Sequence, residues 1–351
     1  MQHKSWFQLI HNEIDSTGNL CQTSKILWIA DENFDLNSEE IAALPSSTVV
    51  ISNRFDVTER VIAANRVAIF NDFNLTKSNF DFVIYLVSKE RLLTNYCIDL
   101  AVNQLASNGK LILAGKKQHG IKTYFNASKL KLGGQGRLKK IDDRYLALLS
   151  FPENRLRCLD DGEYHRIRMI SECFGFLLFS KPGVYGWQKV DQGSELLATC
   201  VMEDLKVDLD RAASVLDLGC GSGYLTLLMA SMGFIDITAT DNNAAALAAI
   251  QCNLEKNQLS IKIVAGDCGQ NIHHKFDYII CNPPFHQGYD HKRDLIDKFL
   301  GAAKNLLKNS GNAYFVVNAF IPIEAQAKHY FTKIQILANN TQFKVVKLTT
   351  Y

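Results

Sequence analysis

Val215-Leu216-Asp217-Leu218-Gly219-Cys220-Gly221-Ser222-Gly223-Tyr224-Leu225 is the stretch that decides the fold. An apolar strand runs into three alternating glycines and then into a helix. Glycine lacks the Cβ that would hold a ligand away from the backbone. A helix N-terminus adds free N–H groups that suit an anion such as a carboxylate. The Gly-Lys-Ser/Thr that a phosphate-binding P-loop needs is absent. A dinucleotide site prefers Gly-x-Gly-x-x-Gly, whereas the spacing here is Gly-x-Gly-x-Gly with Asp217 two residues ahead of it.

Outward from this stretch the C-terminal half alternates strand and helix. Strands are predicted at 214–218, 236–240, 261–265, 276–281 and 312–318, with helices over 224–232 and 244–257, the second capped by Asn243. A last hairpin is expected from 333–338 and 343–348 around Asn339-Asn340. Strands separated by helices imply a mostly parallel sheet covered on both faces.

The N-terminal half repeats that rhythm. Lys25–Asp31 falls where Ser214–Gly219 would fall, Val49–Asn53 matches Asp236–Asp241, and Val67–Asp72 matches Ile261–Asp267. Phe80-Asp81-Phe82-Val83-Ile84-Tyr85 matches Phe276-Asp277-Tyr278-Ile279-Ile280-Cys281 class for class, and Asn108–Leu113 matches Ser310–Phe315. Gaps between the landmarks that agree within a few residues predict an internal duplication. The copy is chemically blank: Asp31-Glu32-Asn33-Phe34-Asp35 stands in place of the glycines, and Leu86-Val87-Ser88-Lys89 in place of Asn282-Pro283-Pro284-Phe285. Two domains are expected, 1–170 and 171–351, the first a degenerate relative kept for binding or architecture.

Length and composition agree with that plan. The 351 residues, 47% hydrophobic and 21% charged, suit an ordinary globular chain of about two domains. No stretch approaches the ~20 apolar residues that span a bilayer, and Met1-Gln2-His3-Lys4-Ser5-Trp6 lacks a signal layout. A cytoplasmic chain is expected. The nine cysteines are scattered without Cys-x-x-Cys spacing, which argues against a disulfide framework and against structural zinc. His273-His274 lacks further ligand-type partners, so no metal is expected. Net charge is only +2, yet Lys116, Lys117, Lys122, Lys129, Lys131, Arg137, Lys139 and Lys140 run without an intervening acid. Such a run can neutralise phosphates or serve as a solvated surface. Arg137, Lys139 and Lys140 are taken as possible substrate contacts.

Four motifs carry the chemistry. Asp217 with Gly219, Cys220, Gly221 and Gly223 forms the ligand loop, and its spacing resembles the first motif of Rossmann-like methyltransferases. Asp241, closing the next strand, can accept hydrogen bonds from ribose hydroxyls. Asp267 can take one from an adenine amine, with the Cys268 backbone N–H facing the ring; its other reading is a turn residue. The fourth, Asp277-Tyr278-Ile279-Ile280-Cys281-Asn282-Pro283-Pro284-Phe285, ends a buried strand on two prolines. They push the preceding residues to extended geometry, so the Pro283 carbonyl and the Asn282 side-chain oxygen offer two acceptors for one –NH₂ group. Phe285 offers a face for a flipped base. A plain strand–turn–helix explains the prolines, but not the asparagine before them or the aromatic after them.

At these residues the sequence resembles the amino-methyltransferases with an Asn-Pro-Pro-Phe motif. More narrowly, it is similar to the bacterial ribosomal RNA small subunit methyltransferase C family. Lys181-Pro182-Gly183-Val184-Tyr185, Asp191-x-Gly-Ser194-Glu-Leu-Leu197, Asn282–Gly288, Val317–Pro322 and Thr341–Val345 carry the match, which spans about Phe179–Leu348. The resemblance implies two tandem Rossmann-like class I methyltransferase domains, each a seven-stranded, mostly parallel sheet with a final antiparallel hairpin, the first degenerate. It implies S-adenosylmethionine as methyl donor and the N2 of a guanine in 16S rRNA as acceptor, on the assembled small subunit, by a monomer. The alternatives are a sibling enzyme for 23S rRNA guanine N2 and a protein glutamine N-methyltransferase. It also places Asp191 and Ser194 beside the methionine part of the cofactor. His286 is open to proton relay, phosphate contact or a place in a first helical turn.

Overall fold

The computed structural model describes residues 5–16, 24–152, 158–206, 210–284 and 289–350, the last segment by backbone alone up to residue 293. They divide into two compact units, Met1–His165 and Arg166–Tyr351.

Unit one opens on α1 (Trp6–Asp15), which a Ser5/Gln8 capping box starts. It continues through β1 (Ile26–Ala30), α2 (Ser38–Ala42), β2 (Thr48–Ser52), α3 (Phe55–Ala63), β3 (Val67–Phe70) and β4 (Phe80–Leu86). Then come α4 (Arg91–Gln104), β5 (Leu105–Lys116), α5 (Ile121–Leu132), β6 (Gln135–Ile141) and β7 (Arg144–Ser150). Its sheet has the order β3-β2-β1-β4-β5-β7-β6.

Unit two starts with the hairpin β8 (Arg168–Cys173) and β9 (Phe176–Ser180). After it come α6 (Gln192–Asp204), β10 (Ser214–Leu218), α7 (Tyr224–Ser231), β11 (Asp236–Asp241), α8 (Ala244–Lys256), β12 (Lys262–Ala265) and β13 (Phe276–Cys281). The chain ends on α9 (Tyr289–Leu306), β14 (Leu307–Asn318), α10 (Ile323–Ala327), β15 (Lys333–Asn339) and β16 (Phe343–Thr349). The order β12-β11-β10-β13-β14-β16-β15 repeats that of unit one position for position.

The likeness extends to the tethers. In unit one the Lys25 N–H donates to Asp81 Oδ2 at 2.8 Å; in unit two the Ser214 N–H donates to Asp277 Oδ2 at 2.9 Å. Each ties the start of the central strand to the second residue of its neighbour. Both sheets also slip register at a matching place, between Phe80 and Phe82 and between Phe276 and Tyr278. There Gly109 and Gly311 lie so close to the neighbouring strand that a Cβ would sit 2.7 Å from the Phe80 carbonyl oxygen and 2.8 Å from that of Asp277. An ordinary pair of α/β domains would share strand order but not these details, and a duplication accounts for both.

Central strands are buried on both faces, as parallel sheets require. In β1, Leu27 and Ile29 join one core while Ile26, Trp28 and Ala30 join the other. In β10, Leu216 and Leu218 face the core under α9, and Val215 faces that of α6 and α7. Asp217 shares Val215's parity, so a carboxylate enters an apolar layer. Among the described residues no helix is long and apolar enough to cross a membrane.

Two stretches add to the predicted elements. β14 begins at Leu307, not Asn312, because α9 runs straight into it and the polar Lys308-Asn309-Ser310 is already extended. Part of the basic run, 135–141, is the outer strand β6, with its partner β7 inside the sheet.

Candidate active site

The site assembles at the carboxyl ends of β10, β11, β12 and β13, where a doubly wound sheet leaves its crevice. After β10 the chain turns on Gly219 (φ 80°), Gly221 (φ 55°) and Gly223 (φ 91°), all in the left-handed region that favours glycine. The Gly219 and Cys220 N–H groups donate to the Thr240 carbonyl at 2.9 and 3.0 Å, and the Gly221 N–H donates to Asp241 Oδ2 at 2.9 Å. Asn253 on α8 donates from Nδ2 to the Ser222 carbonyl at 2.7 Å, which fixes the far side of the loop. A Cβ on Gly221 would meet nothing within 4 Å, whereas one on Gly223 would lie 2.8 Å from Ile250 Cγ1. Gly223 is there for packing, and Gly221 presents bare backbone outward.

Asp217 lies beneath the loop, 1% exposed. Its Oδ2 accepts from Thr226 Oγ1 at 2.5 Å, while Oδ1 is buried without a partner. Burial pushes its pKa up to about 7, the Thr226 hydrogen bond opposes that, and the Asp241 charge adds to it. The Thr240 hydroxyl is a second buried polar group without a partner. Buried polar atoms are normally paired, so two orphans under an open glycine loop fit a polar ligand seated there. Asp241 braces the loop and its own helix, with Oδ1 accepting the Asn243 N–H at 2.8 Å. Asp267 is ion-paired with Lys298 on α9. Cys268 adopts φ 51° and ψ 40°. Burial pushes its thiol up to about 12 and also raises those of Cys220 and Cys281 well above the ordinary thiol value, so these sulfurs are apolar packing.

Asn282 follows β13, which pairs in parallel with β10. Its Nδ2 donates to Asp191 Oδ2 and to Ser194 Oγ, both at 2.8 Å. Asp191 is the N-cap of α6, and the same Oδ2 accepts the Ser194 N–H at 2.9 Å. Pro283 is buried and Pro284 exposed. Phe285 and His286 lie outside the described residues.

The structure thus gathers Asp217, Gly219, Cys220, Gly221, Gly223, Asp241, Asp267, Cys268, Asn282 and Pro283 onto one edge of one sheet. It also brings in Asp191 and Ser194, which meet Asn282, and Thr226, which no sequence signal marks. Arg137 and Lys139 are on unit one and clasp Glu13: Arg137 Nη2 to Oε1 at 2.7 Å and Lys139 Nζ to Oε2 at 2.6 Å. Lys140 is exposed on the same strand. His273 and His274 are exposed, and among the described residues no group of three or more His, Cys, Asp or Glu could hold a metal ion.

The corresponding edge of unit one is filled by its own side chains. Asp31, in the place of Gly219, is 1% exposed. Its Oδ1 accepts from the Asn33 N–H and Nδ2, and its Oδ2 from the Tyr85 hydroxyl at 3.1 Å. Ser88 Oγ donates to Glu32 Oε1 at 2.7 Å.

Known proteins agree with this layout. The family described as methyltransferase small domain matches residues 175–347, and its N-terminal counterpart matches residues 18–143. In structure the chain resembles the T. thermophilus 16S rRNA N2 methyltransferase in complex with AdoMet and guanosine, with a TM-score of 0.82 at 23% identity over 99% of this chain and 93% of that one. In sequence it is 28% identical over 309 residues to the ribosomal RNA small subunit methyltransferase C of Haemophilus influenzae (strain PittGG), covering 88% of this chain and 89% of that protein. It is 30% identical over 272 residues to the protein of that name from Buchnera aphidicola, 76% of each chain. With two matched domains, a glycine cradle and an Asn-Pro-Pro corner in one chain, the protein belongs to the ribosomal RNA small subunit methyltransferase C family.

Proposed function

We propose that the chain methylates the exocyclic N2 of a guanine in 16S rRNA with S-adenosylmethionine as donor, on the assembled small subunit in the cytoplasm. The observation that carries this is the placement of Asn282 and the glycine loop at the carboxyl ends of two paired strands, β13 and β10. One strand offers acceptors for an amine, and the other a cradle for the donor.

The cofactor supplies an electrophilic methyl group on a sulfonium. Gly219–Gly223 would take its amino-acid end, Asp241 its ribose hydroxyls, and the Asp267–Cys268 turn its adenine. Asn282 Oδ1 and the Pro283 carbonyl accept the two N–H bonds of the substrate amine. An aromatic amine holds its lone pair in the ring, and accepting both hydrogens favours the geometry that turns that pair toward the methyl group. The nitrogen becomes acidic only as its bond to carbon forms, so its proton leaves late and no strong base is required. What the protein contributes is position and fixed dipoles.

Unit one supports a role in holding RNA. It retains the fold with its ligand edge closed by Asp31 and Glu32, and it exposes Lys117, Lys131 and Lys140. Protein glutamine methylation is disfavoured, since the partner domain is a second copy of the catalytic fold.

A transfer assay with methyl-labelled S-adenosylmethionine tests the proposal on undermodified small subunits, on large subunits and on release-factor protein. Label recovered as N2-methylguanosine from small subunits is expected. Label in 23S rRNA or in a protein glutamine, with none in 16S rRNA, overturns it.

A further inference from the structure

We propose that Asp191, assisted by Ser194, is the positioning group that locks the Asn282 amide as a hydrogen-bond acceptor; this rests on the assignment of Asn282 as the amine-binding residue. An asparagine amide has two donor hydrogens on nitrogen and acceptor capacity on oxygen, whereas a carboxylate only accepts. Asp191 Oδ2, at 2.8 Å, must therefore face the nitrogen of Asn282. Ser194 Oγ, also at 2.8 Å, takes the second hydrogen. With both consumed, the one hydrogen-bonding group Asn282 can still offer is Oδ1. A half-turn of the amide would set that oxygen against the Asp191 carboxylate, which repels it. The pair therefore selects substrates that donate an N–H over those that present a carbonyl. A charged neighbour on the nitrogen side also polarises the amide and strengthens Oδ1 as an acceptor.

The sequence Asp191-Gln192-Gly193-Ser194 is built for this. Asp191 caps α6 through the Ser194 N–H, which fixes where its carboxylate lies. Gly193 is necessary for space alone: a Cβ there would lie 2.9 Å from Asp191 Oδ2 and 3.1 Å from Phe343 Cε1. A side chain at 193 would displace the oxygen that holds Asn282. Three residues of the first turn of α6 thus serve one amide 91 positions along the chain.

Asp191→Asn isolates the effect, because asparagine caps a helix as well as aspartate yet no longer forces one orientation of its neighbour. Transfer should slow about 10- to 100-fold in kcat, as for supporting groups behind a reactive centre, with S-adenosylmethionine Kd within about twofold of wild type. Asp191→Ser keeps the cap with a shorter side chain and should do the same; Gly193→Ala, whose Cβ would crowd both the capping Asp191 Oδ2 and Phe343, should lower kcat and thermal stability together. The second readout is the side-chain NH₂ resonance of Asn282 in the cofactor-free protein, assigned by its loss in Asn282→Asp. Slow hydrogen exchange at that group, lost in Asp191→Asn, is expected. Wild-type kcat in both Asp191 variants, or a fall in cofactor affinity that accounts for the whole loss of rate, overturns the proposal. If the wild type methylates no RNA amine, the assignment of function fails, and the resonance still decides the clamp.

Discussion

The Asp241 carboxylate accepts the Gly221 N–H at 2.9 Å, so the acid that closes β11 also braces the centre of the glycine loop that follows β10. Its other oxygen takes the Asn243 N–H, and Asn243 in turn accepts from the Ala245 N–H and donates to the Gly183 carbonyl at 2.8 Å. A residue expected to meet ribose is thus first a structural tie between loop, helix and the 181–185 segment. The loop is shaped before any ligand arrives, which lowers the ordering cost of binding.

Gly221 and Gly223 should then respond oppositely to a single methyl. Gly221→Ala adds a Cβ that meets no protein atom, so its folding cost is the left-handed backbone alone, about 1–2 kcal/mol. Its loss of S-adenosylmethionine affinity, read by calorimetry, should exceed tenfold. Gly223→Ala carries the same backbone cost plus a 2.8 Å contact with Ile250, and should lose stability first. Unchanged cofactor binding in Gly221→Ala would mean the open face of the loop is not the cofactor's.

Asn282→Ala removes one of the two amine acceptors and leaves the cradle untouched. Transfer in a single-turnover assay should fall at least about 100-fold, the scale of losing one preorganised group at a reacting centre. Cofactor Kd should stay within about twofold. An active Asn282→Ala enzyme would refute the amine clamp.

Much of this was legible in the sequence because it is local. The glycine spacing, the Asn-Pro-Pro corner and the Asn243 cap are each written within a few residues, and the duplicated Phe-Asp strands announced two sheets of one order. What was hidden lies in contacts between distant segments. Arg137 and Lys139 read as unopposed cations because their partner, Glu13, is 124 and 126 residues away. Asp191 and Ser194 were placed by resemblance beside the methionine part of the cofactor, and their contact with Asn282 stayed hidden because nothing nearby names it as their target. The early start of β14 was masked by polar residues that the irregularity at Gly311 accommodates.

The Asp217 carboxyl predicts a pH effect. Its pKa is about 7 in the fold and ~3.9 when unfolded, so the folded chain holds the proton more tightly. Stability from this group is full below about pH 4 and declines by up to ~1.4 kcal/mol per pH unit until it is lost above about 7. Asp217→Asn cannot ionise and can still accept from Thr226. Its stability relative to wild type should rise from pH 5 to pH 8 in chemical denaturation of the cofactor-free protein. A difference independent of pH would show that Asp217 is not the linked group.

Glu13 has the opposite sign and a second consequence. Burial alone would raise its carboxyl, but hydrogen bonds from Lys139 and Arg137 hold it below the usual carboxylate range. Its contribution is therefore present above the unfolded pKa of ~4.3 and lost as pH falls through the lower folded value. Glu13→Gln should cost roughly 1–2 kcal/mol at neutral pH and converge with wild type in acid. The same change frees Arg137 and Lys139, both on the exposed strand β6. If those cations meet RNA, the variant should bind small subunits more tightly at low salt, with a salt slope steeper by about one counterion. A destabilised variant with an unchanged salt slope would instead confine the pair to holding α1 against the sheet, and would leave RNA to Lys140 and the exposed lysines of α5.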